Sequence, residues 1–105
     1  MLKPPYEITK RFDGEVTIEH QNGSVLDESK GINITLSFEA QEESGHQYAS
    51  WEMWSDDESI YGEGGIHIDI TNTIYDYDGC FILAPQIVSM LKELGYNVED
   101  LDNNL

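Results

Sequence analysis

Residues 32–39 alternate strictly. Ile32, Ile34, Leu36 and Phe38 are apolar, whereas Asn33, Thr35, Ser37 and Glu39 are polar. Successive side chains on a strand point to opposite faces, so this pattern calls for a β-strand with one dry face and one wet face. A dry face must be covered, and the C-terminal part of the chain offers the cover. Pro85 suits a first helical position, Gly95 suits the position just past a helix end, and Ile87, Met90, Leu91 and Leu94 recur between them at helical spacing. The expected fold is therefore α+β: an antiparallel sheet of four or five strands with one C-terminal helix packed on one face.

The other elements are read from alternation and turn chemistry. Asp13-Gly14, between Tyr6–Phe12 and Glu15–His20, predicts a hairpin with a tight primed turn. Gln21–Lys30 reads as a loop around Asn22-Gly23, and Gln41–His46 as an acidic turn. Gln47–Trp54 reads as a strand with Ala49, Trp51 and Met53 on one face. Ser55–Gly65 reads as a loop whose Gly62-Glu63-Gly64-Gly65 is a flexible connector. A last strand begins at Ile66, Ile68 and Ile70 and runs toward Ile74 or Tyr75, with a turn at Tyr75–Gly79. The chain of 105 residues is expected to form one domain, 1–105, with a frayed acidic tail at about 99–105. The helix-free sheet face should carry Glu15, Thr17, Glu19, Thr35, Ser37, Glu39, Glu52, His67 and Asp69.

Charge is where the composition departs from an ordinary domain. Asp and Glu number 21 against 5 Lys and Arg, a formal net charge of -16. The bases are Lys3, Lys10, Arg11, Lys30 and Lys92, so no Lys or Arg occurs from Gly31 to Leu91, where Glu39, Glu42, Glu43, Glu52, Asp56, Asp57, Glu58, Glu63, Asp69, Asp76 and Asp78 fall. Self-repulsion among these acids disfavours the compact state, and the same field attracts a basic partner. Direct binding to nucleic acid is disfavoured, because phosphates are repelled.

The chemistry-bearing residues form no recognised catalytic set. Cys80 is the single cysteine, so no internal disulfide can form, and beside Phe81, Ile82 and Leu83 it reads as a buried, inert thiol. His67 and Asp69 share a strand face and could support metal binding or proton transfer, but no third ligand stands at metal-site spacing. Asp76-Tyr77-Asp78-Gly79 resembles the start of a calcium loop, yet its glycine comes too early and the twelfth position is Ile87. The glycines at 62–65 lack the Gly-Lys-Ser/Thr of a phosphate-binding loop. No enzyme activity, cofactor or resident metal is expected. The N-terminus lacks a secretory leader's apolar run and no stretch approaches the roughly 20 apolar residues of a membrane helix, so a cytoplasmic location without membrane contact is expected.

Carboxylates two apart on a strand lie about 6.6 Å apart, a separation that can approximate the spacing of phosphates along a nucleic-acid strand. A short, acidic, single-domain chain of this kind resembles the phage-encoded nucleic-acid mimics: anti-CRISPR proteins, antirestriction proteins and uracil-glycosylase inhibitors. The resemblance is one of character over the whole chain and carries no motif. It implies stoichiometric inhibition by occupation of a basic nucleic-acid groove, with an anti-CRISPR protein that blocks Cas9 as the first choice. Glu39, Glu42, Glu43, Glu52, Asp56, Asp57 and Glu58 are the expected contact residues, with Trp54 as an anchor. One alternative is an immunity protein that neutralises a basic nuclease toxin. Another is a metal-binding enzyme that uses His67 and Asp69.

Overall fold

The computed structural model describes residues 3–19, 26–78 and 84–98, with the side chains of 14–19 and 26–30 outside that set. Among the described residues, five strands follow one another in sequence: β1 (Tyr6–Glu19), β2 (Leu26–Phe38), β3 (Gln47–Ser55), β4 (Tyr61–Ile68) and β5 (Ile74–Tyr77). They form one antiparallel sheet in the order β1-β2-β3-β4-β5, and a helix, α1 (Pro85–Glu93), follows them. The α+β architecture is thus the expected one.

The alternation in β2 and β3 does what period-two patterning requires. Leu36 stands opposite Trp51 and Phe38 opposite Ala49, while Ala49 in turn faces Ile66 of β4. These side chains are buried together with Ile87, Val88, Met90 and Leu91 of α1 in one apolar core. The helix begins at Pro85, whose missing N–H removes no bond at that position, and ends before Gly95 at φ 97. Beyond it, the chain returns to the sheet. Ile74 N–H donates to Asn97 O at 3.0 Å, and the Tyr96 ring stacks on Phe38 at 5.2 Å. The Tyr96 hydroxyl donates to Oε1 of buried Gln47 at 3.2 Å, and Gln47 Nε2 donates to Glu39 O at 3.0 Å, so this polar side chain enters the core with both ends bonded.

Three local expectations are corrected. Asp13-Gly14 is not a hairpin turn, because β1 runs through it. Phe12 pairs with Ile32 and Glu15 with Lys30, so Asp13 and Gly14 together oppose Gly31, whose φ of 98 accommodates the bulge. Second, the expected loop at 21–30 already becomes strand at Leu26, since a β1 of 14 residues supplies a partner that far; Asn22-Gly23 lies outside the described residues. Third, 61–65 is no flexible connector but the first half of β4; the strand expected from Ile66 to Ile74 or Tyr75 is broken after Ile68, and Tyr75–Tyr77, expected as turn, belongs to β5. Cys80, Gly79 and the tail from 99 lie outside the described residues.

The glycines of β4 are there for space. Trp51, 1% exposed, lies opposite Gly64, and its indole Nε1 donates to Asp78 O at 3.1 Å. A Cβ at Gly64 would lie 1.7 Å from that carbonyl oxygen and 2.6 Å from Nε1. A Cβ at Gly65 would meet chiefly side-chain ends: the Tyr48 hydroxyl at 2.9 Å and Asp78 Oδ1 at 3.2 Å. Gly64→Ala is therefore expected to lower the unfolding free energy by about 1–3 kcal/mol, the usual range for overpacking. Gly65→Ala should cost less, because its neighbours can rotate away. Urea midpoints of the two variants check the order; equal losses would mean that the Asp78 carbonyl is free to move.

Candidate functional site

The sheet face opposite α1 is built from the alternate positions of the same strands. Register sets it out in rows: Glu7, Ser37, Ser50 and Gly65 in one, and Thr9, Thr35, Glu52 and Glu63 in the next. A third row carries Arg11, Asn33, Trp54 and Tyr61. Small side chains occupy the middle of the first row, and the face sinks there into an open trough of about 560 Å³. Thr35, Ser37, Ser50 and Gly65 form its floor, while Glu7, Glu52, Glu63 and Asp78 supply four carboxylates along its lining. No Lys or Arg is among the described residues that line it.

Donors within the fold hold Glu7, Glu63 and Asp78. Ser37 Oγ donates to Glu7 Oε2 at 3.1 Å, the Tyr61 hydroxyl donates to Glu63 Oε2 at 3.0 Å, and Gly65 N–H donates to Asp78 Oδ1 at 2.7 Å. Glu52 and Glu63 are direct cross-strand partners, so like charges stand about 5 Å apart at Cβ, an arrangement that destabilises a sheet. The hydrogen bond to Glu63, followed by desolvation and the charge of Glu52, pushes the Tyr61 phenol up to about 12, so it stays a donor. The exposed tyrosines Tyr48 (37%), Tyr61 (53%) and Tyr75 (55%) belong to this side of the sheet or its edge, and half-buried Trp54 lies across from Tyr61. Trp54 also lines a second depression of about 280 Å³ with Glu52, Glu58 and Tyr61.

The expected contact residues do not form one patch. Glu39, Glu42 and Glu43 sit between β2 and β3, at one end of the sheet, and Asp56, Asp57 and Glu58 sit between β3 and β4, at the other. The nine residues of β3 separate the two groups by roughly 30 Å at about 3.3 Å per residue. Glu52 and Trp54 lie between them on the open face.

Two of the acids at the far end already have work within the fold. Asp56 accepts from Arg11 Nη1 and, at 3.0 Å, from Asn33 Nδ2. Arg11 also reaches Asp13 at 2.8 Å, and its guanidinium first, then Asn33, holds the Asp56 carboxyl below the usual range. Asp57 Oδ1 accepts from Ser59 Oγ at 2.7 Å, Ser59 N–H at 3.0 Å and Ser55 Oγ at 2.8 Å, which closes the turn. Glu7, Glu63 and Asp78, which sequence reasoning did not select as contacts, line the trough instead. The pairing of Glu52 with Glu63 was hidden because 61–65 was read as loop.

Thr35, Ser37, Glu52 and His67 stand on the open face as expected. Glu15, Thr17 and Glu19 lie in β1 beyond the bulge, where side chains are outside the described set. Asp69 does not serve as a partner for His67. Its Oδ1 accepts from Thr71 N–H at 2.8 Å, Thr71 Oγ1 at 2.6 Å and Thr73 N–H at 3.1 Å, and these bonds, the Thr71 hydroxyl first, lower its pKa. His67 meets His46 instead, with His46 Nε2 and His67 Nδ1 3.4 Å apart. Among the described residues no group of three or more His, Cys, Asp or Glu side chains converges as a metal-binding set, and no helix is long and apolar enough to cross a membrane. Compared with known proteins, the chain matches no family model, no curated protein and no solved structure.

The Asp57 bonds carry a pH signature. Ser59 and Ser55 lower its pKa to about 2, against about 3.9 for a free aspartate. A lowered folded-state pKa adds stability that is complete above the unfolded value and is lost as pH falls through the folded one. The stability advantage of the wild type over Asp57→Asn should thus hold at pH 5 and shrink from about pH 4 toward pH 2. Comparing the two proteins cancels the general relief of acid repulsion on protonation. Urea unfolding at stepped pH checks this, and an advantage that stays constant down to pH 2 would remove the turn from the acid response.

Proposed function

We propose that this chain is an inhibitor that uses its acidic open sheet face to occupy the basic nucleic-acid-binding groove of a nuclease, and that Cas9 is the first candidate partner. The observation that carries the reading is the carboxylate-lined trough, with Glu52 and Glu63 directly paired across β3 and β4. A sheet that sets like charges opposite one another gives up stability, and a cationic group placed between them recovers it. An arginine or lysine of a phosphate-binding groove has that chemistry: its charge is made to meet anions a few ångströms apart, and the trough is wide enough to admit a side chain. Tyr48, Tyr61 and Trp54 beside the acids add the flat aromatic surface that anchors many interfaces. No enzyme chemistry is needed; the inhibitor acts by binding, and its association should weaken with salt.

The trough also favours other contacts than the acids of the β3–β4 turn. Asp56 is paired with Arg11 and Asp57 takes three hydrogen bonds, whereas Glu52 and Glu63, with Glu7 and Asp78, line a trough with no Lys or Arg among its described residues, so they are the stronger candidates for the partner's bases. The test is inhibition of DNA cleavage by guide-loaded Cas9 at rising inhibitor ratios, in low and high salt, with wild type and Glu52→Lys/Glu63→Lys. Wild type should inhibit near equimolar ratio in low salt, and the double variant should require at least about tenfold more protein, as loss of a close charge pair implies. Glu63→Lys alone should keep the fold and stabilise it by about 0.2–1 kcal/mol, by turning a like-charge pair into an opposite-charge one. No inhibition by the wild type, or equal inhibition by the double variant, would overturn the reading.

A further inference from the structure

The histidine contact at one end of the open face has a geometry that the trough does not explain. His67 is on β4 and pairs with Tyr48 of β3, and His46 stands two residues before Tyr48, so the two imidazoles are diagonal neighbours on one face. Their rings approach head on, with centroids 5.6 Å apart and His46 Nε2 3.4 Å from His67 Nδ1. On its other side, His46 Nδ1 lies 3.3 Å from Glu42 Oε1. The Tyr48 ring meets His67 edge-on at 5.4 Å, and Tyr75 lies 6.1 Å from both imidazoles, so the rings are walled in on the sheet. His46 nevertheless keeps 27% of its side chain in solvent, which leaves a path of entry.

We infer that His46 and His67 form a two-histidine site for a divalent transition-metal ion of the imidazole-preferring kind, with zinc as the reference ion and water in the remaining positions. At zinc–nitrogen bonds of about 2.0–2.1 Å, two tetrahedral ligands stand about 3.3 Å apart, close to the present separation. The same bonds put the ring centroids about 5.2 Å apart, so small ring rotations suffice. Glu42 stands where a carboxylate orients a metal-binding histidine: by accepting from Nδ1–H it leaves the Nε2 lone pair facing His67. In the metal-free pair His67 Nδ1–H donates to that lone pair. On metal binding, His67 moves its proton to Nε2 and offers Nδ1, so both histidines stay neutral and no net proton is released. Asp76, opposite His67 in the ladder, and the net charge of -16 add long-range attraction for a cation. Selectivity comes from the imidazoles, because calcium and magnesium prefer oxygen ligands. The site borders the proposed inhibitory trough at Tyr48, but neither histidine lines that trough, and the inference stands whether or not that reading does.

Nitrogen-detected NMR of the full chain, titrated with zinc chloride, tests this on the wild type directly. Saturable one-to-one binding should shift the ring nitrogens of His46 and His67, with His67 changing tautomer, and leave His20 in place; calcium chloride should leave all three unmoved. By calorimetry, His46→Ala and His67→Ala should each weaken zinc binding at least tenfold, and Glu42→Ala about tenfold, as expected of a partner that orients a ligand. Zinc binding that leaves the His46 and His67 nitrogens unmoved, or no saturable zinc binding, would overturn the inference. A variant that fails to fold does not affect the test, since the wild-type spectra decide it.

Discussion

The Trp51 indole fixes more of this structure than any other group. It is the largest buried side chain, at the centre of the middle strand, and it demands both room and a hydrogen-bond acceptor. Gly64 provides the room from β4, and Asp78 O provides the acceptor from the residue that follows β5. The carbonyl therefore comes down over Gly64, which brings the rest of Asp78 against Gly65. Asp78 N–H donates to Gly65 O at 2.9 Å, and Asp78 Oδ1 accepts from Gly65 N–H. One core interaction thus positions a carboxylate on the trough lining, and the absent side chains of 64 and 65 serve both the tryptophan and the depression on the open face.

Charge is distributed by the same register. Lys10 points to the helix side, where it lies 3.5 Å from Glu93, and Arg11 is engaged by Asp13 and Asp56 on the open side. Both bases thus act near the β1 side of the sheet. Such exposed pairs contribute little to stability, but they decide which acids remain available. Asp56 is compensated by Arg11, Asp57 and Asp69 close turns, and Glu52 and Glu63 face each other over a trough with no Lys or Arg among its described lining residues. Sequence position suggested a uniformly acidic middle segment; pairing sorts it into acids that build turns and acids that face outward.

The parts of the fold that were legible from sequence are those where local and long-range demands agree. β2 and β3 alternate and also bury their apolar face, and α1 has Pro85, Gly95 and an apolar stripe that all mark the same boundaries. The errors fall where they conflict. Asp13-Gly14 is good turn chemistry, yet pairing from Tyr6–Phe38 through Glu19–Leu26 outweighs it, and the extra residue becomes a bulge. Gly62, Gly64 and Gly65 are poor strand formers, yet β3 supplies a ladder and Trp51 needs the space. The trough was illegible for the same reason, since Glu63, Gly64 and Gly65 of its lining belong to the strand misread as loop. The histidine pair needs the register of β3 against β4: residues 46 and 67 have no sequence relation until Tyr48 is placed opposite His67.

The cost of the Glu52–Glu63 juxtaposition depends on distance in a way that bears on specificity. Salt near physiological strength screens charges beyond about 8 Å, so the diffuse repulsion among 21 acids is largely damped in solution. Glu52 and Glu63, direct cross-strand partners with Cβ atoms about 5 Å apart, are too close for such screening to remove their repulsion. The diffuse charge can speed encounter with any basic surface, but it cannot distinguish one from another. The close pair can, because only a cation small enough to enter the trough relieves it, and the Tyr61 phenol, held protonated by Glu63, keeps one side of that pair oriented. On the proposed inhibitory reading, the selective element of this face is therefore not the total charge but the few carboxylates that the Trp51–Gly64 packing and the β3–β4 register hold at close quarters.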